Sequence, residues 1–490
     1  MNPALNETVI MQYAVLIVVI PLLAAFLLPV LERVSSMFAR AIGPAIMLIL
    51  LGLSINIWME LDQPVMLALG GFAPPLGIVF YIDQMSILFA GLAIAITFML
   101  WPFQAKSSIR EHTLMLILTA AASGLALSGD LFNIYVFYEL ISVASFGLVT
   151  SKASRACYAA AIRYVLISGF GTVLALTGIA LVYTQTGTLN LAHLAILAAD
   201  QLNNATGLMA FALILIGIGV KAELFPVNTW VPEVYATASK RVSALLAGVV
   251  SKLAVLVLVR MMVLVFNTEQ ALHLVLILGL MAVISGELAA WRARDMSRML
   301  AFSSIGQLGL VFIAFSIPGE KGLFAGIALS LHHLVVKPAL FLLADRWGHS
   351  LKNLSGAARQ SPLAVLLFVL FALSLIGVPP LPGFWAKLLT VMALFSMQDP
   401  LYGFALLTIL ITTVIEANYL FRVIIGFYAD KQADIPRHDP FNFASSTLFA
   451  AALILAAVFI APLGDQLKSA AHQAADINTY ISTVFPGRKP

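Results

Sequence analysis

Charge and cysteine are what this chain has least of. Only 10% of its 490 residues are Asp, Glu, Lys or Arg, against about 25% in an average soluble protein. That scarcity, with 61% hydrophobic residues, excludes a large soluble enzyme. The one cysteine, Cys157, excludes an intrachain disulfide and any iron–sulfur or zinc site built from cysteines. The start, MNPALNETVI, lacks the basic region of a signal peptide, so the first apolar run reads as an ordinary span. The formal net charge of +4 comes from bases scattered singly through loops, which fits membrane topology and not a nucleic-acid surface.

Apolar stretches long enough to cross a bilayer recur from end to end. Hydropathy, charge and proline punctuation place fourteen spans, centred near 22, 50, 90, 120, 140, 170, 214, 253, 279, 308, 332, 370–390, 412 and 453. The expected fold class is an all-α polytopic membrane protein. The loops alternate in sign: those after the odd-numbered spans carry basic residues such as Arg33, Lys106, Arg155, Lys240, Arg298, Arg346, Lys431 and Arg437. Those after spans 2, 4, 6, 8 and 12 carry neither lysine nor arginine, and the one after span 10 has only Lys321. By the positive-inside rule both termini face outward, to the periplasm of a bacterial inner membrane. The tail from 464 to 490 reads as an external helix or a disordered end.

Against this apolar background stand ionisable residues inside the spans. Each costs a few kcal/mol or more in hydrocarbon, so each is a functional candidate. Glu139 lies about eight residues into its span, too deep for a short side chain to reach water easily. Asp130, at the mouth of the same span, reads as a helix cap. Lys221 ends the run LILIGIGVK (213–221) and is followed by Pro226 and Pro232. The segment GIGVKA (217–222) matches a dinucleotide fingerprint by letter only, since a membrane-length run precedes it and prolines follow. Lys221 can be a snorkelling charge or a proton carrier at a broken helix. The apolar and aromatic residues that continue past it favour the break.

Lys252 has apolar neighbours on both sides and no easy route to either surface. Arg260, two turns on, is permanently charged and suits a structural or field-setting role. His333 and Lys337 are four apart on one helix face, with His332 adjacent. The three read as a relay, and with no acidic or cysteine ligand nearby in sequence they do not read as a metal site. Lys387 follows a second break, GVPPLPGFWAK (377–387), and such breaks are tolerated where the backbone lines a cavity or is buried in protein. Glu416 sits mid-span, with Arg422 as a candidate structural partner. No metal or cofactor is called for.

A lysine near a broken helix thus occurs in each half, five spans apart, which puts corresponding spans in opposite orientations. Seven segments then carry a resemblance: YIDQMSILFAGL (81–92, containing Asp83), GDLFNIYVFYEL (129–140), KAELFPVNTWVPEVY (221–235), VSALLAGVVSK (242–252), DMSRMLAFSSIGQLGL (295–310), HHLVVKPALFLLA (332–344) and GVPPLPGFWAK (377–387). Together they resemble the antiporter-like subunits shared by respiratory complex I, membrane-bound hydrogenases and Mrp-type cation/proton antiporters, with the D-type subunit of the last most similar.

The resemblance implies two inverted five-helix repeats, spans 4–8 (106–266) and 9–13 (267–428), after three N-terminal spans (1–105) and before a last span and tail (429–490). It also implies a central hydrophilic axis, with Glu139 and Lys221 as an ion pair, Lys252 as connecting lysine, His332 and His333 as bridge, and Lys387 in the second half. The implied function is proton translocation within a multisubunit antiporter for Na+ or K+, in a lipid bilayer among other hydrophobic subunits. A pumping subunit of a redox complex and a coupling or scaffold subunit remain alternatives. The chain departs from the family at ATASKRVSAL (236–245), where a proline-containing turn is usual, and at Glu223, an added acid beside Lys221.

Overall fold

A computed structural model describes residues 3–103, 107–348, 350–429 and 440–487; Lys106, Lys431 and Arg437 lie outside them. Among the described residues, ten helices are long and apolar enough to cross a membrane, and four shorter apolar helices cover Gln84–Met99, Ala205–Gly219, Pro362–Ile376 and Pro382–Phe395. The helix Ile109–Leu127 carries Arg110, Glu111 and His112 in its first turn and is apolar thereafter. Nearly every element is helical, as lipid demands of a chain whose backbone groups must be satisfied internally.

One small hairpin, which the sequence reading did not anticipate, stands beside the helices. Val65–Ala68 and Val79–Ile82 pair antiparallel, with Leu67 opposite Phe80. The two short apolar runs flank a turn in which Gly70 and Gly71 both take positive φ, a conformation glycine adopts without a Cβ clash. The hairpin lies in the loop that follows the Ser36–Glu60 helix.

The helices divide by what they face. Those at Asn6–Val34, Ser36–Glu60, Arg155–Thr186 and Pro440–Val458 are buried along less than half of their apolar length, whereas Lys240–Leu264 is wholly buried and Met296–Phe315 and Glu320–Ala344 nearly so. Lys240–Leu264 carries Lys252, and Glu320–Ala344 carries His332, His333 and Lys337. The most charged spans therefore sit at the centre, shielded from lipid by the others.

Two spans are broken. The Ala205–Gly219 helix stops, the chain turns through 220–230, and a short helix resumes at Val231–Thr237. The second break separates Pro362–Ile376 from Pro382–Phe395, with Gly377 at φ +93° closing the first piece. The departure at ATASKRVSAL has a local cause. Ser239 accepts a hydrogen bond from Val242 N and caps the next helix. Lys240 Nζ donates to the carbonyls of Tyr235 (3.0 Å) and Ala236 (3.2 Å), at the end of the preceding helix.

The C-terminal tail is ordered in its described part. Helices Ile460–Ala475 and Ile477–Val484 lie against the bundle. Gln473 accepts from Gln84 N at 2.8 Å, and Tyr480 stacks on Tyr81 with ring centroids 3.8 Å apart.

Close helix approach depends on glycine at one contact in particular. A Cβ on Gly217 would stand 2.4 Å from Gly171 O and 2.6 Å from Ala175 N, both backbone atoms. Membrane helices use such small residues to bring backbones together. Gly217→Val should lower stability by roughly 1–3 kcal/mol, read as a drop in the thermal midpoint in detergent. Gly169→Ala, where nothing lies within 4 Å, should leave the midpoint unchanged; equal effects would refute this packing assignment.

Candidate functional site

The first half begins at Glu139, half-buried on Leu131–Val149. That helix is capped by Asp130, which accepts from Phe132 N and Asn133 N. Glu139 Oε1 accepts from Thr172 Oγ1 (2.7 Å) and from Ser142 Oγ (3.4 Å). Lys221 is 1% exposed. Its Nζ donates to Ser168 Oγ at 3.2 Å and lies 3.4 Å from the centre of the Tyr138 ring. The expected Glu139–Lys221 ion pair is therefore not closed. Each residue is held by a hydroxyl group of the helix Arg155–Thr186, and the Tyr138 ring supplies the face on which the ammonium rests. Tyr138 OH in turn donates to the carbonyls of Gly217 (3.1 Å) and Ile218 (3.3 Å) at the broken end of the Ala205–Gly219 helix.

Glu223 follows two residues later, fully buried. Its backbone is left-handed, φ +56°, uncommon for a residue with a side chain. Tyr235 OH donates to its Oε1 at 2.6 Å, and the Ser304 hydroxyl lies beside the same carboxylate.

The centre is Lys252. It sits just past a π-helical turn, Leu246–Val250, a distortion often found at functional sites. Its Nζ contacts His333 Nδ1 directly, and it donates to Ser251 Oγ at 3.0 Å and to Ala247 O. His333 Nε2 meets Ser304 Oγ at 3.3 Å, and Lys337 Nζ donates to Ser303 Oγ at 2.6 Å. His333 and Lys337 thus both face the buried helix Met296–Phe315, where Ser303, Ser304 and Gln307 form one polar stripe. His332 is different. Its Nε2 contacts Ser374 Oγ at 2.9 Å, beside the second break, so only His333 of the expected histidine bridge touches Lys252.

Beyond Lys337 the path divides. Tyr419 OH lies 2.7 Å from Ser303 Oγ and 3.0 Å from Glu287 Oε2, so hydroxyls connect Lys337 to a buried carboxylate. One turn along the stripe, Gln307 donates to Glu416 Oε1 at 2.7 Å, and Lys387 Nζ donates to Glu416 Oε2 at 2.6 Å. Arg422 is not the partner of Glu416; it donates instead to Ala293 O at 3.3 Å. The lysine after the second break completes the ion pair, because that break carries Lys387 back against the Pro400–Phe427 helix.

Asp83 and Arg260 stand apart from this path. They form a buried pair in which Arg260 Nη2 donates to both Asp83 carboxylate oxygens, at 2.8 and 2.9 Å, and Asp83 also caps Gln84–Met99. Arg260 lies over the Tyr81 and Tyr480 rings, so the pair ties the hairpin, the central helix and the C-terminal tail together.

Sequence reasoning missed Glu287, Tyr419 and the Ser303/Ser304/Gln307 stripe. Glu287 had a signal, an acid in the apolar run ISGELAAW (284–291), but Arg292 and Arg294 nearby made it resemble a helix-end charge. The serines carry no charge and become significant only through the side chains they meet.

Breaking a buried ion pair by removing one partner costs roughly 3–5 kcal/mol, whereas replacing both is often neutral. Lys387→Met should therefore lower the thermal midpoint of the detergent-purified protein, and Lys387→Met combined with Glu416→Gln should recover most of the loss. A single variant as stable as the native chain would mean that the pair is not formed.

Residues 128–415 match the model of the transmembrane family described as NADH:quinone oxidoreductase/Mrp antiporter. The N-type subunit of an NADH-quinone oxidoreductase from Desulforudis audaxviator is 31% identical over 436 residues, covering 84% of this chain and 86% of that one. The D-type subunit of a Na+/H+ antiporter from Alkalihalophilus pseudofirmus is 28% identical over 474 residues, covering 93% and 94%. Among solved structures, a chain of an archaeal membrane-bound sulfane sulfur reductase superposes with a TM-score of 0.89 at 28% identity, covering 97% of this chain and all of that one. A chain of the Mrp complex from a Dietzia species gives 0.88 at 25%, covering 99% and 100%. With the matched segment spanning both breaks and every buried lysine of the path, the chain belongs to the NADH:quinone oxidoreductase/Mrp antiporter transmembrane family.

Proposed function

We propose that this chain is the proton-translocating subunit of a multisubunit Mrp-type antiporter exchanging Na+ or K+ for protons. It crosses a bacterial inner membrane fourteen times, with both termini outside and with two inverted five-helix repeats at 106–266 and 267–428. The observation that carries the reading is the run of buried groups through the middle of the bundle. Lys252 meets His333, His333 meets Ser304, and the adjacent Ser303 holds Lys337. Each member has exchangeable protons and a neighbour within hydrogen-bonding distance, in a bundle whose surface faces lipid. A purely structural polar cluster does not require two separate lysines.

Burial disfavours a charged ammonium and a nearby carboxylate favours it. Lys221 therefore holds its proton more firmly when Glu139 approaches and releases it more readily when Glu139 is held by Thr172 and Ser142, as seen here. Released protons pass through Lys252 and His333 to Lys337, and leave toward Glu287 or toward Lys387 and Glu416. Alternation of Glu139 between its hydroxyl partners and Lys221 is the coupling step, and hydrophobic partner subunits supply the cation's route.

The likeness to a quinone oxidoreductase subunit and to a chain of a respiratory complex favours a second reading, a pumping subunit whose electrons travel in other chains. Gentle extraction of the native complex and mass spectrometry of its subunits separates the two. Small hydrophobic subunits without flavin or iron–sulfur proteins support the antiporter; redox subunits support the second reading.

In either complex, Glu139→Ala and Lys221→Ala should each abolish proton transport while the complex still assembles. Normal transport by an assembled variant would remove its residue from the path.

A further inference from the structure

Glu223 has no part in the path as proposed, yet its placement is costly. A side-chain-bearing residue in the left-handed region is strained, and such strain persists only where the surroundings over-determine it. The surroundings here are the first break. Lys221 N and Glu223 N hydrogen-bond back to Ile218 O and Val220 O, and Leu224 N to Gly219 O, so the turn is tight. It aims the carboxylate inward, where Tyr235 OH secures Oε1 at 2.6 Å. Beyond Tyr235, the Ser304 hydroxyl is the donor the buried carboxylate finds among the described residues, a thin set for a group whose desolvation costs several kcal/mol.

The charged groups acting on Glu223 are Lys252, from the first half, and Lys337, from the second, with Ser304 beside it. Ser304 is also the contact of His333 Nε2. Glu223 therefore stands where the two halves meet, facing the same two lysines that His333 lies between.

We propose that Glu223 is a proton-carrying group at the junction of the two halves, its buried carboxylate exchanging a proton with Lys252 on one side and Lys337 on the other. In the forward step an N–H bond of the Lys252 ammonium breaks and an O–H bond forms on Glu223 Oε2, leaving a neutral amine and a neutral acid. That O–H bond then breaks as the proton passes to the neutral amine of Lys337, restoring the carboxylate. Charge is conserved, and no other reactant is needed. Through Ser304 the carboxyl joins His333 in a single relay between the two lysines, so that loss of either member interrupts it. The inference rests on the reading of the chain as a proton translocator.

The test uses the native complex reconstituted in liposomes, with proton flux followed by an entrapped pH dye. Glu223→Gln keeps a carbonyl oxygen for Tyr235 but cannot ionise, and it should lower flux by roughly a hundred-fold, the low end for loss of a positioned acid–base group. Gly169→Ala, where nothing lies within 4 Å, should transport at the native rate. Infrared difference spectra of the native complex between high and low pH should show a carboxylic-acid carbonyl band that disappears in Glu223→Gln.

Native flux in Glu223→Gln, or an equal loss in Gly169→Ala, would overturn the inference. If Glu223→Gln does not assemble, Glu223→Asp decides: retained flux with a displaced carbonyl band supports it, and an unmoved band contradicts it. Lys221→Ala measured alongside separates the two levels. If it is inactive while Glu223→Gln is normal, only this inference fails; if it also transports normally, the functional reading itself fails.

Discussion

An ammonium group in hydrocarbon has to be surrounded by protein, and that requirement organises the whole bundle. The buried lysines 221, 252, 337 and 387 occupy a central layer from which lipid is excluded. Meeting the requirement takes more than apolar shielding. Each ammonium needs acceptors, and nearby helices provide them as serine hydroxyls, a tyrosine ring, a histidine nitrogen and a single carboxylate. Of these four lysines, Lys387 alone has a direct ionic partner among the described residues, Glu416. The other three rest on neutral groups, which stabilise charge less and therefore allow it to move.

Both broken spans serve the same end. A continuous helix satisfies its own backbone and offers nothing to a neighbour. At the first break the carbonyls of Gly217 and Ile218 become acceptors for Tyr138, and Val220 O accepts from Trp230 Nε1. At the second, Ile376 O is 3.3 Å from Lys387 Nζ. The π turn before Lys252 does the same on a smaller scale by presenting Ala247 O to Ser251 and Lys252. Irregular backbone at membrane depth is tolerated only when protein covers it, and here the freed groups hold the lysine-bearing segments in place.

Much of this was legible in the sequence because charge in a hydrophobic run is conspicuous. Lys221, Lys252, Lys337 and Lys387 announce themselves, and prolines with glycine mark both breaks. Contacts between distant spans were not legible. Glu416 has Arg422 six residues away, yet its partner is Lys387, brought to it by a break whose geometry no local rule supplies. His332 and His333 are neighbours in sequence, but a helix turns consecutive residues about 100° apart, so one reaches Lys252 and the other the second break. Ser303, Ser304 and Gln307 carry no charge and stand out only once His333, Lys337 and Glu416 are seen against them. The hairpin and the docked C-terminal helices depend on a surface that exists only after the bundle forms. Glu223 read as an addition beside Lys221, and only the backbone of the turn explains why it points to the centre.

The central claim is that protons pass between the two halves through the Lys252–His333 contact, and it is tested most directly by cutting that contact while keeping every lysine and carboxylate. Cation-driven proton flux would be measured in liposomes carrying the native complex and the His333→Ala complex at equal subunit content. The account predicts that the variant assembles and loses most of its flux, because Lys252 then has no imidazole through which to pass a proton. An assembled His333→Ala complex that moves protons at the native rate would contradict it.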